Sequence, residues 1–361
     1  MQQAAPRGSY RELRKMIREA GLLEKQPLFY AAHLSSTLAL IAGAVVAIVM
    51  IGDSWWNLAL APPVAIISSQ LAFVGHDGGH RQIFKSIRMN DWVVIAMSGL
   101  FMGFSLSWWM ESHNRHHAWP NHEAKDPDIR IALFAFSDRQ LRGKSGLMRW
   151  FVRYQAFLVI PLNTLGVLSK QIASVRFMNR NRGGLRHPVL EPLATVLHWG
   201  AYFSLLFIVM SPPLAVAFFA LHYALYGLAF GAVISPNHKG RPMVRDDAPF
   251  DFLYLQVLTA RNVRGGPLRD LLYGGLNYQI EHHLFPTMPR HRLPDAARIV
   301  EPYCAAHGIH YCQTGVVEGY RDILRSMQRV SAPLRGPGPG ESPVTLTGID
   351  MDRLAGDMTV S

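Results

Sequence analysis

The chain has 361 residues, enough for one large domain or two small ones, and 49% of them are hydrophobic. Its net charge of +11 would suit nucleic acid, but positive charge set between long apolar runs marks membrane topology instead. With only Cys304 and Cys312, no disulfide framework is expected, and a reducing compartment fits.

The start is basic through Arg11, Arg14, Lys15 and Arg18, and it places Tyr10, Leu13, Ile17, Leu22 and Leu23 at roughly helical spacing. This predicts an amphipathic helix over 9–25, lying at a membrane interface within a cytoplasmic N-terminal segment of residues 1–27. The first apolar run begins near Gln26 and is too long for a cleaved signal peptide. A bilayer core of about 30 Å needs about 20 apolar residues as a helix. Residues 28–51 meet that length without an Asp, Glu, Lys or Arg. Residues 54–75 follow after a turn at Gly52 and Asp53, with Pro62 and Pro63 expected to kink them. A second pair is predicted at 193–210 and 213–234, split by Ser211, Pro212 and Pro213. The expected architecture is therefore all-α and integral to the membrane, with four transmembrane helices in two hairpins inside one domain of residues 28–330.

Two further apolar stretches, 92–110 and 151–168, are ambiguous by length. The hairpin tips at 51–57 and 211–212 lack Lys and Arg, whereas the other connections are basic. Positive loops stay in the cytoplasm, which places both termini and all of 76–190 there. A crossing at 92–110 would separate the histidine clusters on opposite sides. The expectation is a re-entrant hairpin or two short helices at 92–110, and an interfacial segment at 151–168. The tail, 331–361, is rich in Pro, Gly, Ser and Thr and reads as disordered.

Sixteen histidines are the anomaly, because they cluster. HDGGH spans 76–80, HNRHH spans 113–117 and QIEHH spans 279–283. On a helix, positions three and four apart share a face. His76 with His80, then His113 with His116 and His117, then Gln279 with His282 and His283, can each aim at one point. Imidazole is a common metal ligand, and seven histidines fit two ions better than one. Without accompanying cysteines, structural zinc is disfavoured and a redox metal stays open. His238, in SPNHKG just past the last apolar run, is a further candidate ligand, and Asn237 beside it could hold a metal-bound water. His33, His198 and His222 lie inside apolar runs and read as packing or lining residues. His187, His307 and His310 read as surface or interfacial, and His291 as structural.

These residues resemble a known family. HDGGH, HNRHH followed by WPNHEAKDPD, and NYQIEHHLFPTMPRH are similar to the three histidine boxes of membrane fatty acid desaturases, over roughly residues 70–330. The glutamine-led third box resembles that of front-end desaturases, and also that of related bacterial acyl desaturases. The resemblance implies a cytoplasmic helical cap and a non-haem di-iron centre. By it, His76, His80, His113, His116, His117, His282 and His283 are iron ligands, and His238 matches an extra histidine after the fourth span. No catalytic residue beyond the ligands is implied. Gln279 stands where another branch has histidine, which puts a bond from 279 to iron in doubt. Asp77, Asp126, Asp128 and Glu281 are candidate partners for imidazole N–H groups, although Asp126 and Asp128 equally suit a cap on the following segment.

The implied substrate is a long acyl chain linked to CoA, a carrier protein or a lipid, with O₂ as co-substrate. Trp108, Trp109 and Trp119 flank the second box and would line an acyl tunnel or anchor the interface. No haem-binding HPGG segment, CxxC pair or GxGxxG loop is present. Electrons are therefore expected from a separate carrier of ferredoxin, flavodoxin or cytochrome b5 type, drawn to a basic face. A hydroxylase, ketolase or epoxygenase on the same scaffold is the nearest alternative. A histidine-rich metal transporter would instead place its ligands near the bilayer midplane.

Overall fold

The computed structural model describes residues 8–245 and 251–335. Sixteen α-helices are found among these residues, with one two-stranded parallel pair, β1 (Asn262–Val263) and β2 (Gln313–Thr314). The chain is an all-α protein in which four helical stretches are long and apolar enough to cross a membrane. The first is α2 (Pro27–Ile51). The second is a 3₁₀ turn, Trp55–Leu60, running into α3 (Ala61–Gly79). The third and fourth are α10 (Leu190–Val209) and α11 (Pro212–His238). Pro62 and Pro63 do not kink a helix interior. They occupy the first turn of α3, where the amides have no intrahelical partner and a missing N–H costs little.

α11 packs along α3, so the two hairpins meet through their inner helices. Their tips share a core of Ile48, Ala61, Leu206, Leu214 and Phe218. Ser211 N also donates to Asp53 Oδ1 across the tips at 2.7 Å. The outward faces stay apolar and bare: Leu40, Val46, Val49 and Met50 on α2, and Ile208 on α10, are exposed. A surface of this kind is stable against lipid and costly against water.

The remaining helices form a cap at the other end of the hairpins. α1 (Tyr10–Glu19) is amphipathic, but Leu13 and Ile17 are fully buried. They join a core with Leu253, Val257, Ile280, Leu284 and Val300, so the apolar face of α1 meets protein and not a membrane surface. The 92–110 stretch is α4 (Ile87–Val94), a π-turn (Ile95–Leu100), a break with Gly103 at φ 69°, and the start of α5 (Leu106–Ala118). The break makes it two short helices. After α6 (Asp138–Arg142) and α7 (Gly146–Arg153), the 151–168 stretch is α8 (Gln155–Asn163) turning by 72° into α9 (Gly166–Arg180).

The cap is completed by α12 (Phe252–Thr259), α13 (Pro267–Leu272), α14 (Gln279–Leu284), α15 (Leu293–Ala306) and α16 (Val316–Ser331). A 3₁₀ turn, Ala332–Leu334, follows directly, so the segment expected to be disordered begins with ordered helix. Its residues 336–361 lie outside the described residues.

Candidate metal centre

Four helices deliver histidines to one place. α3 carries His76 in its last turn, and His80 caps its end. Glycine is required beside them, because a Cβ on Gly79 would overlap the Trp109 ring and one on Gly75 would overlap Ser98. α5 carries His113, His116 and His117. Its first turn is fixed by Ser105 Oγ, which accepts from Trp108 N at 3.1 Å. The buried Glu191 carboxylate of α10 reinforces that turn. It accepts from Ser105 Oγ, from Ser107 N at 3.0 Å and from Ser107 Oγ at 2.7 Å. α11 ends on His238, two residues after Pro236. α14 has only six residues and is stopped before Pro286. Its start is held by Asn262, whose Oδ1 accepts from Ile280 N at 2.9 Å.

The histidines form two groups. His76, His80, His113 and His282 each present a ring nitrogen within 4.8 Å of the others, and His116, His238 and His283 do the same. His117 lies between them. Its Nε2 is 3.1 Å from both His113 Nε2 and His282 Nε2, and its ring stacks on His283 at 4.1 Å. All seven box histidines and His238 are thus brought together.

The donor chemistry fits a metal, because hydrogen bonds fix the tautomers. His238 Nδ1 faces the Thr259 carbonyl at 3.0 Å and must donate to it. His283 Nδ1 faces Gln256 Oε1 at 2.8 Å, and the Gln256 amide is oriented by its own donation to the His117 carbonyl at 3.0 Å. Both Nε2 atoms therefore carry bare lone pairs, and they lie 3.0 Å apart. Two lone pairs at that distance repel unless a cation or a proton sits with them. His116 Nδ1 faces both Asp126 oxygens at 3.1 Å, which leaves its other nitrogen free. Burial first, and neighbouring imidazoles second, hold His80, His113, His117, His282 and His283 well below the ordinary histidine pKa. These rings are neutral near pH 7, as metal ligands must be. His116 alone is raised: burial lowers it, but Asp126 and Asp128 outweigh that. An all-imidazole set suits Fe, Zn, Cu or Ni.

The surrounding polar residues divide. Asp77 Oδ1 lies 3.3 Å from His76 Nδ1. Asp126 partners His116 and also caps the turn at Pro127–Ile129, so both expected roles belong to one residue. Asp128 lies 3.8 Å from His116 Nδ1 and pairs with Lys170 at 3.2 Å. Gln279 sits 3.0 Å from His238 Nε2, and Asn237 donates to its oxygen at 2.9 Å. Glu281 turns away, accepting from Asn262 at 2.7 Å and Tyr311 at 2.8 Å, and burial pushes its carboxyl up to about 7.

Sequence reasoning missed Gln256, Thr259 and Arg290. Gln256 had a signal, as the only strongly polar side chain in the apolar run FLYLQVL. Arg290, nearly fully buried, pairs through Nε with Asp77 Oδ2 at 3.1 Å. Trp109 packs on His113 at 4.5 Å, Trp108 stacks on Phe104, and Trp119 is exposed under Lys125. His222 is held by Tyr202 and Ser68, His198 by the Leu100 carbonyl, and His187 by Asp91, all apart from the two groups.

Residues 53–315 match the family model for fatty acid desaturases. The chain is 30% identical to a Delta(6)-fatty-acid desaturase of Caenorhabditis elegans, over 90% of this chain and 75% of that protein. It is 30% identical to a Delta(8)-fatty-acid desaturase of Euglena gracilis, over 88% of this chain and 77% of that one. It is 28% identical to fatty acid desaturase 3 of Homo sapiens, over 89% and 72%.

Proposed function

The chain belongs to the fatty acid desaturase family, as a membrane oxidoreductase of fatty acyl chains, and from that premise we propose that it inserts a cis double bond into a long-chain acyl substrate by an O₂-dependent, di-iron reaction. The observation that carries the finer reading is the convergence of the seven box histidines and His238 into two adjoining groups, with hydrogen bonds fixing the ring orientation of His116, His238 and His283.

In this reading His76, His80, His113 and His282 hold one iron, His116, His238 and His283 hold the other, and His117 stands at their junction. When bound, two irons would supply the oxidising power, drawn from O₂, that unactivated methylene C–H bonds require. The chain's own residues set the conditions. Gln256, Thr259 and Asp126 fix which nitrogen of His283, His238 and His116 is bare. Burial keeps His80, His113, His117, His282 and His283 neutral, whereas Asp126 and Asp128 raise His116. The apolar walls of α3 and α11 beneath the histidines suit an acyl chain.

The acyl carrier is CoA, a carrier protein or a lipid. Two electrons per double bond come from a separate ferredoxin, flavodoxin or cytochrome b5 type protein, docking on the basic cap. Lys and Arg in the cap connections support a cytoplasmic cap and cytoplasmic termini. The Delta(5), Delta(6) and Delta(8) designations of relatives count from the carboxyl end and support a bond placed toward that end.

Expression in a host of defined lipid composition, followed by mass-spectrometric mapping of double bonds, tests the reading. A new alkene at one position, absent with His282→Ala, is expected. Hydroxylated or oxo products without a new alkene would assign the scaffold to the neighbouring hydroxylase chemistry instead.

A further inference from the structure

The inference concerns Gln279 and rests on reading the two histidine groups as metal sites. Gln279 occupies the helical position that would aim a third ligand of α14 at the second group, and its amide ends 3.0 Å from His238 Nε2. Whether it can ligate depends on which end of the amide points there. Only the oxygen can coordinate a cation, and the neighbours decide the orientation.

Asn237 Nδ2 lies 3.1 Å from the Leu276 carbonyl oxygen and 2.9 Å from Gln279 Oε1. The Leu276 carbonyl can only accept, so Asn237 must turn its NH₂ to that side. Gln279 meets the same NH₂ with its oxygen, and its own NH₂ is thereby turned to His238. His238 Nε2 can accept, because Nδ1 of that ring is committed to the Thr259 carbonyl. Asn237 and Gln279 are 1% and 6% exposed, so water does not compensate a reversed amide. Reversing Gln279 alone would set N–H against N–H. Reversing both would set the Asn237 oxygen against the Leu276 oxygen.

We propose that Gln279 is not a metal ligand but a fixed N–H donor aimed into the second group, where it holds a small anionic ligand beside His238. A metal bound there takes the His238 lone pair, and the Gln279 N–H then has only an exogenous ligand to serve. The two groups consequently differ. The first offers four histidines, whereas the second offers three and an open position overlooked by a donor.

The test uses the purified full-length protein loaded with Co(II), with azide as the anionic probe read from the visible spectrum. Wild type binds two metals per chain and takes up azide. Gln279→Met keeps two metals and the azide-free spectrum, while its azide affinity falls about tenfold, as expected for loss of one charge-assisted hydrogen bond. Asn237→Asp, which can only accept from Gln279 and so draws its NH₂ away from His238, weakens azide similarly with Gln279 still present. It is the deciding variant if Gln279→Met does not fold. Loss of one metal from Gln279→Met, or unchanged azide affinity in the deciding variant, overturns the proposal. Wild type that binds no metal overturns the site reading itself, and the proposal with it.

Discussion

At the scale of single residues, Arg290 links the first histidine box to the third. It lies on the loop that follows His282 and His283, and its guanidinium reaches Asp77, which in turn faces His76. Asp77 and Arg290 are both buried, so each leaves an uncompensated charge if the other is removed. Arg290→Leu is predicted to cost about 3–5 kcal/mol, seen as a lower denaturation midpoint in detergent. Asp77→Asn in the same background should recover part of that loss, since it removes the stranded carboxylate. No recovery would mean that the pair is not coupled.

The histidine spacing was legible in the sequence because residues three and four apart must share a helical face. The turning away of Glu281 was equally available, since it lies two positions from Gln279 and about 200° around the helix. Arg290 was not legible as a site residue, because its partner is 213 residues away, and the lone amide of Gln256 in an apolar run did not say which histidine, 27 residues on, it serves.

At the scale of elements, the ends of helices carry the site, and their close packing depends on small residues. Gly75, Gly78 and Gly79 let α3 lie against Ser98, Val94 and Trp109. Gly79→Ala is predicted to push the Trp109 ring off His113 and to destabilise the fold by about 1–3 kcal/mol. A shifted tryptophan emission and a lower melting temperature would register it, and wild-type values of both would contradict the contact. The four long apolar runs were legible from length alone. The 92–110 stretch is ambiguous by length, and its break at Gly103 divides it between α4 and α5. Periodicity revealed that α1 buries one face, but not what covers it, since a membrane surface and the α15 face ask for the same pattern. Pro62 and Pro63 suggest a kink from sequence because nothing there distinguishes the start of α3 from its interior.

At the scale of the whole molecule, two apolar hairpins meet through α3 and α11, and the cap closes over the ends of those same helices. This arrangement sets a largely buried, imidazole-lined centre at one end of two apolar hairpins, a setting that suits a chain of methylenes. The order of the three boxes made the family legible from sequence. The division into two groups was not, because it depends on how α5, α11 and α14 cross in space. The proposed di-iron centre requires two irons in these groups. Iron measured per chain in the purified protein tests it most directly, with His113→Ala and His283→Ala beside wild type. Two irons in wild type and about one in each variant are predicted, and one iron or none in wild type would contradict it.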